Sequence, residues 1–179
     1  SPNACQGCHT NKDAAWADAH VRQWRSRDYQ APVLARARLI QSARQRNFSQ
    51  LPAMLASLTA PKQDPVYAAS LLRLLRACPD DTKWPVVRAA LNDESELARA
   101  RAAASLTENR EPATLAALGK ACADQSRLVR VRAAEALAGV QDKQIPEPLQ
   151  QAVARARAEL AESFSRRADD WSGSDKRRD

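Results

Sequence analysis

The sequence predicts an all-α protein in which a short N-terminal segment precedes a stack of repeated helix pairs. Hydrophobic residues make up 44% of the 179 residues but aromatic ones only 4%, and much of the apolar content is alanine. That balance suits close helix packing and disfavours a β-sandwich. Only four glycines are present, which leaves few places for tight hairpins. The third observation is a block of sequence that recurs at a fixed spacing.

The N-terminal segment holds two cysteines and a histidine, in the run Cys-Gln-Gly-Cys-His at residues 5–9. This is the C-x-x-C-H pattern of covalent c-type haem attachment. Two thiols one turn apart can both add to vinyl groups on one edge of a porphyrin, and the next residue then places an imidazole as the proximal iron ligand. We therefore expect one haem c per chain, bound through Cys5 and Cys8, with its iron held by His9.

Three other interpretations of this motif compete with haem. A thioredoxin-like redox pair needs a strand before the first cysteine, and nothing β-like precedes it. A zinc site needs four ligands, but the remaining cysteines, Cys78 and Cys122, are isolated in the sequence. A simple disulfide would leave His9 without a role. We expect Cys78 and Cys122 to be buried thiols without a bridge.

The sixth iron ligand is less well defined by the sequence. His20 is the only other histidine and is the candidate distal ligand. Eleven residues is a short path around a porphyrin, so His20 could serve its own haem or a neighbouring one; a plain surface histidine and a five-coordinate iron are the alternatives. Met54 is the only methionine, and its apolar setting predicts core packing. Trp16, His20 and Trp24 share one helix face, which could cover a haem edge, form an interface or pack on the following helices.

The remainder of the chain is repetitive. Residues 93–106 recur as residues 124–137, 31 positions later, and a weaker copy precedes them by the same offset. Each unit splits into two helices, with the first helices predicted at 49–59, 82–92 and 112–123, and the second at 65–78, 95–108 and 126–139. Pro65 and Pro112 sit at predicted helix starts, where proline is tolerated. Val129, Ala133 and Leu137 are spaced to form the buried stripe of the last second helix.

Further helices are expected at both ends of the repeats. Residues 30–46 predict a helix that begins the stack, and a longer helix from residue 145 towards Phe164 would cap the last apolar face. Aspartates at the breaks between helices supply caps. We expect a haem-binding segment at 1–29, a repeat domain at 30–170 and a flexible tail at 171–179.

The run Leu-Val-Arg-Val-Arg-Ala-Ala-Glu-Ala-Leu at residues 128–137 resembles the second helix of a HEAT-like repeat. HEAT units usually have ~40 residues, so a period of 31 indicates a shorter variety. The resemblance covers about residues 48–140. It implies an α-solenoid of about three helix pairs, each contacting its neighbours, with a C-terminal capping helix.

A C-x-x-C-H motif followed by helical repeats resembles the C-terminal part of some multihaem c-type cytochromes. The resemblance implies electron transfer rather than enzyme activity, with a redox protein or other haem subunits as partners. The chain could form homo- or hetero-oligomers. The implied location is the bacterial periplasm or outside the cell. Two alternatives stay open: a structural subunit of a larger multihaem complex or filament, and a helical repeat scaffold without haem. A haem enzyme or gas sensor is less favoured, because few acid–base groups lie near the motif.

The chain is basic, with a formal net charge of +7 and a pI near 9.7. We discount a nucleic-acid interpretation because many arginines alternate with small apolar residues, as on a solvated helix face. The basic surface is better suited to steering an acidic protein partner. No stretch reaches the ~18–20 apolar residues of a membrane span. Ser1 lies four positions before Cys5, so we expect a removed leader or a longer precursor.

Overall fold

The structure is a computed structural model that describes residues 4–25, 30–61 and 63–175, with the backbone alone for 167–175. Every regular element of this described part is helical. The α-helices are α1 (Ala14–Trp24), α2 (Ala31–Arg44), α3 (Leu51–Thr59), α4 (Pro65–Leu75), α5 (Trp84–Ala89), α6 (Glu96–Ser105), α7 (Pro112–Ala121), α8 (Arg127–Ala136) and α9 (Glu147–Asp175). Short 3₁₀ helices span Ala4–Gly7, Asp81–Lys83, Ala90–Asn92 and Asp142–Gln144. The predicted all-α class is confirmed.

The chain divides into two compact units, Ser1–Arg38 and Leu39–Asp179, with the boundary inside α2. The first unit contains α1 and has one buried residue among those described, Ala17. The second contains the hydrophobic core. The domain limits expected at residues 29 and 170 stay predictions: the helical backbone continues through 171–175, and 26–29 and 176–179 lie outside the described residues.

In the second unit the three predicted helix pairs are α3–α4, α5–α6 and α7–α8. The second helices pack in series, α4 on α6 and α6 on α8, and α9 packs on α7 and α8 as a cap. The predicted buried stripe is confirmed, since Val129, Ala133 and Leu137 are fully buried. Met54 is also fully buried in the core, as predicted. This arrangement confirms the predicted α-solenoid with a C-terminal capping helix.

Helix starts agree with the sequence signals in most places. Pro65 and Pro112 are the first residues of their helices, and Asp64 caps α4 by accepting hydrogen bonds from the backbone of Val66 and Tyr67. Asp93 and Asp124 do not act as the predicted helix caps. Each accepts from the backbone N–H two residues on, at 2.8 and 2.7 Å, and so forms the turn before the helix instead of its cap.

The repeated arginines join neighbouring units. Arg99 donates to the carbonyl oxygens of Asp93 and Glu94 and forms an ion pair with Asp124 of the next unit at 2.7 Å. Arg130, 31 residues later, donates to the two equivalent carbonyls and pairs with Glu159 of the capping helix at 2.9 Å. The period seen in the sequence therefore reflects a repeated contact that fixes the stacking of units.

Candidate haem-attachment site

The three motif residues lie on one tight turn. Cys5 is in the first 3₁₀ helix, and its carbonyl oxygen accepts hydrogen bonds from the backbone N–H of Cys8 at 3.3 Å and of His9 at 2.9 Å. Cys8 and His9 are exposed and Cys5 is half-buried. The structure thus brings together the residues that the sequence singled out, on a short accessible piece of backbone.

The surroundings of this turn are compatible with a large planar group. A Cβ atom added at Gly7 would meet no atom within 4 Å, so the space beside the turn is open. Both motif cysteines are free thiols. Accessible thiols, an accessible imidazole and open space are the requirements that this chain's residues must meet to hold a haem, and they fit the group.

The other two cysteines have a different environment. Cys78 and Cys122 are buried, each 2% exposed, as predicted. Burial raises the pKa of the Cys122 thiol to about 11, and the positive charge of Arg157 offsets only part of that rise. A protonated, buried thiol is a poor nucleophile. The accessible pair at Cys5 and Cys8 is therefore chemically distinct from the pair in the core.

Helix α1 presents an aromatic face that includes the candidate distal ligand. Asp13 caps this helix by accepting a 2.8 Å hydrogen bond from the backbone of Trp16. The ring centroids of Trp16 and His20 lie 4.3 Å apart, and those of His20 and Trp24 lie 6.5 Å apart. The three side chains share one face, as their spacing predicts. Trp24 is 75% exposed, whereas Trp16 and His20 are half-buried, so this face is most accessible at its Trp24 end.

The hydrogen bond of His20 identifies its donor nitrogen. Its Nδ1 atom lies 2.9 Å from the carbonyl oxygen of Trp16. A carbonyl can only accept, so Nδ1 donates, and in this tautomer of the neutral imidazole the lone pair is on Nε2. Backbone-bound Nδ1 with a free Nε2 is the usual arrangement of a metal-ligating histidine.

The sequence did not predict the contact between His9 and Trp16. The imidazole of His9 lies 4.8 Å from the indole of Trp16, with the rings tilted by 53°. Trp16 therefore contacts both histidines. The spacing of seven residues crosses from the turn into α1, so no helical periodicity could have predicted it. The N-cap at Asp13 was a signal in the sequence, since aspartate directly precedes an alanine-rich helix.

Metal-binding clusters and membrane-spanning helices are both absent from the residues that the structure describes. No group of three histidine, cysteine, aspartate or glutamate residues there is arranged to hold a metal ion. None of the helices that the structure describes is long and apolar enough to cross a membrane.

Comparison with protein families gives one match. Residues 84–164, a little under half of the chain, match the family described as HEAT repeats. Searches of curated proteins and of solved structures found no match. The matched range begins at α5 and ends within α9. HEAT-like units stack into extended surfaces on which other proteins bind. The repeat part of this chain is thus a HEAT-like helical scaffold suited to protein interaction.

Proposed function

We propose that this chain is a repeat scaffold that carries one covalently bound haem c and transfers electrons to or from a protein that docks on it. The observation that supports the proposal is the accessible turn of Cys5, Cys8 and His9, in the order and spacing of haem attachment. When bound, the haem supplies a one-electron redox centre whose potential depends on its axial ligands and exposure.

The attachment chemistry would need the two free thiols and the two vinyl groups of the haem. Each thiol adds its sulfur to one carbon of a vinyl group and its hydrogen to the other, so a C–S bond forms, the C=C bond becomes single, and no oxidant is consumed. Cys5 and Cys8 supply the sulfurs and His9 supplies the proximal imidazole. The shared hydrogen-bond acceptor, the carbonyl of Cys5, holds these three residues in one turn.

His20 is proposed as the distal ligand, to its own haem or to a neighbouring one. Its Nδ1 proton is engaged by the Trp16 carbonyl, which leaves Nε2 available. The exposed Trp24 beside His20 supports an approach of a neighbouring haem from outside the chain. The same proposal includes a redox protein or a further haem subunit as partner. It also includes the absence of enzyme activity and a periplasmic or extracellular location.

The first test is the visible spectrum of the purified chain from a host competent in cytochrome maturation, oxidised and reduced, with a pyridine haemochrome assay. We expect the α band of haem c at one haem per chain. The double variant Cys5→Ala/Cys8→Ala should lose it. The matched control Cys78→Ala/Cys122→Ala removes the same number of thiols from the core and should keep it.

A second measurement assigns the distal ligand. With His20 on the iron, the reduced protein is low-spin and does not bind carbon monoxide, and His20→Ala makes it bind. If both the unaltered chain and the variant bind carbon monoxide equally, His20 does not ligate the chain's own haem. Mixed samples of the chain with a separate haem protein would then test ligation in trans.

A repeat scaffold without haem is the second candidate, and the match of residues 84–164 to HEAT repeats favours it. This candidate needs the same solenoid and no cofactor. Absence of haem absorbance in the unaltered chain, alongside a correctly matured control cytochrome from the same host, would reject the haem proposal and leave the scaffold.

A further inference from the structure

In the second compact unit, Leu39–Asp179, which we call the repeat unit, a cleft is lined by arginines that form no ion pair with any residue the structure describes. It has a volume of about 430 Å³ and is formed where the end of α2 and the loop after it meet the end of α4. Its lining residues are Ala43, Arg44, Arg46, Arg73, Leu74, Arg76, Ala77 and Glu108. We call the set Arg44, Arg46, Arg73 and Arg76 the arginine cleft.

The four guanidinium groups are exposed and unpaired. None of them forms an ion pair or a side-chain hydrogen bond with any residue that the structure describes. Elsewhere in the same unit the arginines at helix junctions are used structurally: Arg88, Arg99 and Arg130 each pair with a carboxylate. A cluster of like charges without internal partners raises the local positive potential and attracts an anionic group.

One member of the cleft occupies an unfavourable backbone conformation. Arg46 has φ of 56°, the left-handed region, where residues other than glycine and asparagine are disfavoured. Its N–H donates to the carbonyl of Ala43 as α2 ends. Glycine would adopt this turn at lower cost. The chain instead places a cation at the turn, which is consistent with a role for that charge outside folding.

The positive potential continues along the second helices. Arg101 on α6 and Arg132 on α8 occupy equivalent repeat positions, and these helices pack in series with α4. Partial burial lowers the pKa of Arg101, and the positive charges of Arg132, Arg73 and Arg76 lower it further. Arg101 therefore lies within electrostatic reach of arginines on both neighbouring helices, so the positive potential of the arginine cleft extends to α6.

We propose that the arginine cleft, with Arg101 beside it, forms a docking surface for an acidic protein segment. Arginine forks bind carboxylates through two parallel hydrogen bonds, and aspartate or glutamate side chains on such a segment would provide them. The surface is part of the repeat unit, so the proposal is independent of haem attachment.

The lining favours a protein over a nucleic acid. None of the eight lining residues is aromatic, whereas surfaces for single strands stack bases on aromatic rings. Glu108 also lies in the lining. A peptide can place an uncharged side chain opposite this carboxylate, but a nucleic acid carries a charge at every phosphate.

The test uses fluorescence anisotropy on the whole chain, with a labelled peptide of alternating glutamate and alanine as the probe. The same peptide with glutamine for glutamate, and a labelled single-stranded oligonucleotide, are the comparison probes. We expect the glutamate peptide to bind, the glutamine peptide not to bind, and added salt to weaken binding. Arg73→Glu/Arg76→Glu should weaken it on the order of tenfold or more.

A matched control separates the cleft from net charge. Lys143→Glu/Arg155→Glu changes the charge equally at exposed positions away from the cleft and should alter binding by less than about twofold. Arg46→Gly provides a variant that should fold at least as well as the unaltered chain, because it relieves the left-handed strain: we expect an unchanged or higher Tm together with weaker binding. Equal losses in both double variants, no loss in Arg46→Gly, or tighter binding of the oligonucleotide would each overturn the proposal.

Discussion

The two units of the chain obtain their properties in opposite ways. In the first, the candidate chemistry lies on residues close in sequence, Cys5 to Trp24, and Ala17 is the one buried residue described. In the second, about half of the second-helix positions are buried, and the decisive contacts join residues about 30 positions apart, such as Arg130 with Glu159.

The comparison indicates that the candidate haem-attachment residues and the hydrophobic core lie in different units of this chain. A motif for covalent haem attachment needs local geometry and exposed side chains, which one turn and a capped helix supply. A solenoid needs each unit to bury its apolar face on the next. Substitutions in the repeat unit should therefore affect unfolding strongly, and substitutions in the N-terminal unit should affect haem content and leave global unfolding almost unchanged.

The largest effect is expected from Leu106→Ala. Leu106 is fully buried in the hydrophobic core, so its loss leaves a cavity and the free energy of unfolding should fall by about 4 kcal/mol. Leu128 is 43% exposed on the next second helix, and Leu128→Ala should cost less than about 1 kcal/mol. Urea unfolding followed by circular dichroism measures both; equal losses would contradict the assigned core.

The next effect is expected from Arg99→Ala. The Arg99 and Asp124 side chains are only 9% and 13% exposed, so removing the cation leaves a mostly buried carboxylate and two carbonyls without their partner. We expect a loss of about 3 kcal/mol. The control Arg132→Ala breaks a pair that is 42% and 47% exposed and should cost less than about 1 kcal/mol. Thermal unfolding of the two variants measures both losses. Equal losses would contradict the structural role of the Arg99–Asp124 pair.

A smaller effect should appear on acidification. Burial would raise the pKa of Asp124, but hydrogen bonds from Arg99 and the Ser126 backbone, with the charges of Arg99 and Arg130, hold it below its ordinary value. The unfolded chain then binds the proton more readily than the folded chain. This contribution to stability is present above the unfolded pKa, about 4, and is lost as the pH falls below it.

The Arg99→Ala variant provides the control for this pH dependence. Its Asp124 has lost the main partner that lowers the pKa, so its stability should fall less steeply below about pH 4 than that of the unaltered chain. The measurement is Tm as a function of pH for both proteins. Parallel curves would mean that Asp124 does not contribute to acid unfolding.

The smallest effect on global unfolding is expected from Asp13→Ala in the N-terminal unit. Loss of the N-cap should destabilise α1 by about 1 kcal/mol. Hydrogen exchange of α1 amides should accelerate about fivefold, and urea unfolding of the repeat unit should not change. Asp18→Ala removes only an exposed pair with Arg22 on the same helix and serves as the control. A shift of global unfolding by Asp13→Ala would show that the two units are not separate in stability.

Much of this structure was predictable because its signals are local or periodic. The 31-residue period located the helix pairs, proline marked the starts of α4 and α7, and the apolar spacing of α8 identified its buried stripe. Boundaries were less accurate where a helix ends without glycine or proline: α5 is six residues long and continues as a 3₁₀ turn, in place of one longer predicted helix. Backbone hydrogen bonding at helix ends depends on the tertiary fit of the next turn.

The candidate sites also differ in how far the sequence predicts them. The sequence by itself determined the candidate haem-attachment motif at Cys5, Cys8 and His9, since such a motif requires fixed neighbours, and it determined the shared face of Trp16, His20 and Trp24. Only the tertiary structure decided which charges are paired. Arg99 and Arg73 both look like solvated helix residues in the sequence, yet one is buried against Asp124 and the other lines an open basic cleft. The physical reason is that ion pairing between units depends on how helices distant in sequence stack, and no local pattern encodes that geometry.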